Sequence, residues 1–392
     1  MRNINREYLI IRLMTFFRYF GDCLFYGYFY LFLKSRNLLE SQIGAICAIT
    51  PIVSLLCNPF WNVLSKNANT NRNIMRVITI LEGIFIILYT KCYSLEMIAL
   101  ITCLVAMVGS PFYSLHDGFC GTYAEVYQKN YTKIRFIGTF AYFCGTIAAA
   151  LVLRLMPNNY SLLLVLGGVI FISVSVWFFF IKPIDLKLIS DSSEIKRDYK
   201  AVLKNKVFWF YMFIYFILIT IPYSTDSYVG LYFTEHKDID SSIWSLVFGS
   251  VILVEFFILL FLSKHGDRFD NTKLFFIAGL AYSFRAIILA FNPPLPLLIM
   301  GALFRGIGYG FFVHVNIRLI KRICGIENVT AGLFILAIGV ALVQTISSYV
   351  FGNLVQLLGY PMFFGIIAII GLLGNVIHFI YLKTNGFSYK SC

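Results

Sequence analysis

Twelve predominantly apolar stretches, most close to twenty residues long, follow one another along this chain, separated by short charged or turn-forming segments. A helix needs roughly 20 such residues to cross about 30 Å of hydrocarbon. The stretches cover residues 8–33, 42–64, 74–90, 95–117, 134–156, 160–181, 207–233, 242–263, 274–291, 295–317, 328–356 and 361–382, and the first, seventh and eleventh are long enough to tilt or bend. Composition agrees: 59% of the 392 residues are hydrophobic and 13% are charged, whereas a soluble domain is about 25% charged. An aromatic content of 18% suits rings placed at two membrane interfaces. The sequence therefore predicts an all-α integral membrane protein with twelve transmembrane helices.

A net charge of +13 raises the question of nucleic acid, and the placement of the basic residues answers it. Of 32 Lys and Arg, 24 fall on the side of the N-terminus, including Lys66, Arg72, Lys129, Lys133 and seven from Lys182 to Lys206. The opposite loops hold Lys34, Arg36, Lys91, Arg154 and Lys237, while Arg18, Arg285 and Arg305 lie inside spans. Under the positive-inside rule both termini are cytoplasmic, and the excess charge records topology with no nucleic-acid partner needed. The nine cysteines show no metal-ligand spacing, so no metal or cofactor is expected. The first span is too long for a signal peptide and lacks a small-residue cleavage site, so it is expected to stay as an anchor. The predicted location is the cell membrane.

The longest polar segment, 182–206, divides the chain into an N-terminal half (1–181) and a C-terminal half (207–392), each with six spans. The halves repeat weakly: YLFLKSRNLLESQIGAI after the first span aligns with GLYFTEHKDIDSSIWSL after the seventh, and the segment around Lys66 aligns with that around Lys264. Parallel repeats of this kind mark transporters built from two helical bundles. On these features the chain resembles the major facilitator superfamily along essentially its whole length. The resemblance implies two six-helix bundles that rock about a central site. The family's Gly- and Asp-containing loop between spans two and three is altered here, with Asn62 and Lys66 at those positions, while Gly266, Asp267 and Arg268 keep more of its character in the second half.

Ionisable residues inside the membrane are costly, and those that remain usually face a partner or a wet cavity. Arg18 and Asp22 stand at i and i+4, where they can pair. Glu82 lies midway along span three with no partner evident from sequence. On spans four and five, Asp117 is followed by Arg135, Gly138 and Tyr142, the last three at i, i+3 and i+7 on one helix face. A guanidinium and a carboxylate can grip hydroxyls while a ring stacks on a pyranose or a nucleobase. These positions resemble the sugar site of the lactose-permease-like branch, with Asp for the usual Glu and Tyr for the usual Trp. The resemblance implies substrate contacts from Asp117, Arg135 and Tyr142, and we add Asp22 and Tyr26 from span one. It also implies coupling roles for Arg285 on span nine and Glu255 on span eight. Gly308 stands where that branch carries its proton-binding acid and Arg305 where it carries His, so Glu255, Asp226 and Glu82 become alternative proton carriers, and Arg305 favours an anionic substrate.

The function predicted is proton-coupled symport of a small polar organic solute, sugar or glycoside first, by alternating access. A nucleoside or aromatic-carboxylate permease and an uncoupled facilitator are the alternatives. A membrane enzyme using His116 and Asp117 is disfavoured, because helix neighbours point about 100° apart; a transporter-derived receptor is the third class.

Overall fold

The computed structural model describes residues 4–185, 198–385 and 389. The middle of the 182–206 linker, with residues 186–197, lies outside the described residues, as does Lys390. Among the described residues the chain is helical and contains no strand. Its helices are α1 Ile4–Tyr26, α2 Phe29–Ser35, α3 Glu40–Leu64, α4 Ala68–Tyr89, α5 Leu95–Gly109, α6 Phe112–Val126, α7 Tyr131–Leu155, α8 Tyr160–Trp177, α9 Tyr199–Lys204, α10 Lys206–Tyr215, α11 Ile221–Ser224, α12 Asp226–Leu231, α13 Ser241–His265, α14 Asn271–Ala290, α15 Leu295–Cys324 and α16 Val329–Thr384. Among the described residues, nine helical segments are long and apolar enough to cross a membrane. Neither α1 nor α4 is one of them. Both carry ionisable residues in mid-helix: Arg18 and Asp22 on α1, Glu82 on α4.

Of the three stretches long enough to tilt or bend, the first and the seventh are interrupted at identifiable places. The first is interrupted at Gly27 and Tyr28, between α1 and α2. The seventh passes through two π-helical turns, Phe216–Thr220 and Tyr232–His236, with a break at Thr225 between α11 and α12. Such turns occur frequently at functional sites. The 56-residue α16 is far longer than one crossing needs, and at Gly359 its backbone leaves the helical region (φ 75°, ψ 166°) just before Pro361. Glycine adopts that left-handed conformation without steric cost, so α16 consists of two arms matching the eleventh and twelfth stretches.

The chain forms two compact units, one of residues 1–193 with 239–249, the other of 194–238 with 250–392. In the first unit α1 packs along α7 and α8, and α4 along α5, α6 and α8. Lipid gives helices little hydrophobic reason to associate, so close backbone approach carries much of the packing. At Gly83 an added Cβ would lie 2.5 Å from the Gly168 carbonyl oxygen, and at Gly168 it would lie 2.7 Å from that of Gly83, so α4 and α8 cross through this glycine pair. The second unit centres on α14, flanked by α15 and α16. Here α15 runs unbroken through Gly306, Gly308 and Gly310. A Cβ at Gly306 would approach the Val251 carbonyl oxygen to 2.4 Å, so these glycines serve close packing rather than bending. Helix starts also recur: α3 and α13, α4 and α14, α5 and α15, α7 and α16 each begin about 200 residues apart, the spacing of the sequence repeat. The outward faces carry large apolar side chains such as Leu56, Phe60 and Val63 on α3 and Leu151 and Leu155 on α7.

Candidate functional site

Among the described residues, besides the Lys34–Glu40 and Arg318–Asp267 pairs near helix ends, three ionic groupings interrupt this apolar architecture, two in the first unit and one in the second. The most open is the Asp117–Arg135 pair. Asn130 caps α7, its side-chain oxygen accepting from the Lys133 N–H at 3.2 Å, which sets Arg135 in the second turn. Arg135 Nη1 donates to Asp117 Oδ1 at 3.1 Å and Oδ2 at 3.3 Å, and to the Tyr19 hydroxyl at 2.7 Å. The side chains are 51% and 37% exposed. On α6 the exposed positions Tyr113, Ser114 and Gly118 surround Asp117. An exposed helix face of this polarity suits water, whereas the exposed faces of α3 and α7 noted above suit lipid.

The structure brings Asp117 and Arg135, on consecutive spans, into contact, and it sets a second ring, Tyr19, beside them. Tyr142 stands edge-on to Phe248 (6.1 Å between centroids), the Tyr131 hydroxyl bonds to Asp117, and the Tyr19 hydroxyl accepts from Arg135. Gly138 explains how: a Cβ there would meet the Tyr19 ring at 3.1 Å, so the glycine admits this ring between α1 and α7. Tyr19 escaped sequence reasoning because it belongs to a helix more than a hundred residues earlier. His116, beside Asp117, is buried and tied to Thr15 Oγ1 at 2.9 Å.

Deeper in the same unit lies a triad. Arg18 is fully buried and does not reach toward an interface. Its Nη1 donates to Glu82 Oε2 at 2.5 Å and its Nη2 to Glu82 Oε1 at 3.0 Å, with Asp22 Oδ1 at 3.2 Å from Nη2. The rings of Phe112 and Phe171 flank the guanidinium at 4.0 and 3.9 Å, in cation–π contact. Two tyrosines complete it: Tyr113 donates to Asp22 Oδ2 at 2.7 Å, and Tyr26 donates to Glu82 Oε1 at 3.3 Å. Both are partly exposed, at 37% each. Gly109 makes room for Glu82, since a Cβ there would lie 2.5 Å from Oε1. Asp22 and Tyr26, expected to contact substrate, therefore also belong to the shell of Glu82.

The third grouping, in the second unit, joins four helices. Asp226, the first residue of α12 after the break at Thr225, pairs through Oδ1 with Arg285 of α14, and through Oδ2 with Arg305 Nε at 2.9 Å. Arg305 Nη1 reaches Glu255 Oε2 on α13 at 2.7 Å. Arg305 thus holds Glu255, while Arg285 holds Asp226. With both its carboxylate neighbours in place Arg305 is compensated, which removes the reason for favouring an anionic substrate. Gly308 also has no room for an acid, because a Cβ there would lie 2.9 Å from the Tyr282 ring. Among the described residues no group of His, Cys, Asp and Glu is arranged to hold a metal.

Helices apolar enough to span a bilayer, with ionic clusters held among them, define a multi-pass membrane protein of the transporter type. Residues 8–364 match the family model described as "MFS_1 like family", and the chain belongs to that family of the major facilitator superfamily. It is 23% identical over 322 residues to the uncharacterized transporter YwbF of Bacillus subtilis (strain 168), covering 82% of this chain and 79% of that protein. It is 21% identical over 350 residues to the maltose permease of Geobacillus stearothermophilus, covering 87% and 86%. Its fold is similar to the crystal structure of the nucleoside transporter NupG, with a TM-score of 0.82 at 13% identity, covering 97% of this chain and all of that one. The chain is a membrane transporter, not an enzyme.

Proposed function

We propose that this transporter carries a small, uncharged, polyhydroxylated solute, a sugar or glycoside first, in symport with protons and by alternating access between the two sides of the cell membrane. In this reading the chain crosses twelve times, in bundles 1–181 and 207–392, with both termini in the cytoplasm. The carrying observation is the Asp117–Arg135–Tyr19 grouping, a charged pair left half-open on a polar helix face. Its carboxylate accepts from hydroxyls, its guanidinium donates in a planar fork, and the exposed Tyr113 ring offers an apolar surface. The maltose permease relative supports a glycoside. A nucleoside is the second reading, favoured by the exposed Tyr113 ring, packed edge-on to Tyr19 at 5.6 Å, against which a base can stack.

The test is counterflow exchange in proteoliposomes preloaded with unlabelled maltose or uridine and offered the labelled compound outside. Exchange of either one, abolished by Asp117→Asn, is the expected result. Undiminished exchange in that variant would remove the pair from the substrate site.

A further inference from the structure

The buried groupings differ in their charge balance. In the second unit two carboxylates, Asp226 and Glu255, face two guanidiniums, Arg285 and Arg305. In the first, two carboxylates, Asp22 and Glu82, face one guanidinium, Arg18. With every group ionised the second-unit cluster is neutral and the triad carries one uncompensated negative charge in a place water does not reach. A buried charge without a counterion is costly, and a proton removes that cost.

We propose that Asp22 is the proton-binding group of this transporter, and that Tyr113 connects it to the Asp117–Arg135 site. The inference rests on the symport reading above and names the residue that carries the coupled ion. Between the two acids the geometry favours Asp22. Glu82 holds Arg18 with both oxygens, whereas Asp22 meets it at one, and that oxygen, Oδ1, receives no well-directed hydrogen bond. The Oδ1 lone pair is where the proton sits. The other oxygen faces the Tyr113 hydroxyl, which is the route outward, since Asp22 is 1% exposed and Tyr113 is 37% exposed. The Tyr113 ring in turn packs against Tyr19, whose hydroxyl accepts from Arg135. A solute that draws Arg135 or Tyr113 toward itself loosens the hydroxyl on Asp22 and changes how firmly the proton is held. The step is a simple transfer: a hydronium ion on one side gives its proton to the Asp22 carboxylate by way of the Tyr113 hydroxyl and is left as water, and after reorientation the carboxylic acid returns the proton to water on the other side.

The groups that face the triad are few in kind. From α1 they are Tyr19, Cys23 and Tyr26, from α6 Tyr113, and from α7 Arg135 acting through Tyr19. Against it α8 places the ring of Phe171 and α5 the backbone of Gly109, neither of them titratable.

The test needs no solute. The full chain in lipid is titrated by infrared difference spectroscopy, following the stretching band of a protonated carboxyl group as pH falls. Asp22→Asn should abolish the band, Glu82→Gln should also abolish it by leaving one acid for one guanidinium, and Glu255→Gln should leave it intact. Tyr113→Phe, which preserves the ring, should shift the pH profile of the band. A band unchanged in Asp22→Asn, or lost only in Glu255→Gln, overturns the assignment, and an unshifted profile in Tyr113→Phe removes the connection. Failure of maltose and uridine to exchange would contradict the substrate class without touching this band, and gradient-driven uptake persisting in Asp22→Asn would contradict the assignment while leaving symport in place.

Discussion

Arg18 grips Glu82 with both terminal nitrogens, at 2.5 and 3.0 Å, across 64 positions of sequence and with neither side chain in contact with solvent. Removing one partner of a buried ion pair strands the other. Arg18→Ala strands two carboxylates and should destabilise the protein by about 3–5 kcal/mol. A fluorescence thermal-unfolding scan in detergent should show a marked fall in midpoint, and an unchanged midpoint would contradict a desolvated triad. Arg18→Lys should recover part of the loss, because one ammonium cannot reproduce the fork that spans both Glu82 oxygens.

The α4–α8 crossing depends on Gly83 and Gly168. Added side-chain carbons would strike backbone carbonyls, which cannot yield as a flexible side chain does. Gly83→Val should therefore cost on the order of 1–3 kcal/mol or more and lower the yield of monodisperse protein in size-exclusion chromatography. A stable, well-behaved variant would contradict the close crossing.

At the open site, Asp117→Asn removes the charge that accepts from Arg135 and from a solute hydroxyl. A hydrogen bond to a charged group contributes about 1.5–3 kcal/mol, so binding of the transported solute should weaken at least about tenfold, with thermal stability little changed because the pair is half-exposed. Isothermal titration of the variant against the wild-type protein reads the difference, and equal affinities would return the pair to a structural role.

Topology is open to direct labelling. In a cysteine-free background, a single cysteine at position 129 should react with an impermeant reagent only from the cytoplasmic face, and one at 237 only from outside. Reaction of both from one face would contradict the twelve-crossing arrangement, whose basis is the 24 to 5 asymmetry of basic residues.

The helices were legible because apolar runs of membrane length leave few structures besides helices open to the backbone. The bends in the first and seventh stretches were legible from their length. The Asp117–Arg135 contact was readable because it falls on consecutive spans and resembles a known pattern. What escaped were contacts between distant helices: the partner of Glu82, the insertion of Tyr19 beside Arg135, and the pairing of Arg305 with both Asp226 and Glu255. Helical periodicity shows which face a residue occupies, but not which helix that face meets. One clue was present, since Arg18, Asp22 and Tyr26 lie at i, i+4 and i+8 on one face of α1, a polar stripe that needed partners.

The central claim, that this is a proton-driven carrier of a neutral polar solute, is tested most directly by uptake into proteoliposomes containing the full chain. Labelled maltose and labelled uridine are offered in turn, with an inwardly directed proton gradient and again with the gradient collapsed by a protonophore. The account expects one of the two to accumulate above its outside concentration only while the gradient stands. Equal uptake with and without the gradient would contradict proton coupling and make the protein a facilitator, and no uptake of either compound would contradict the solute class.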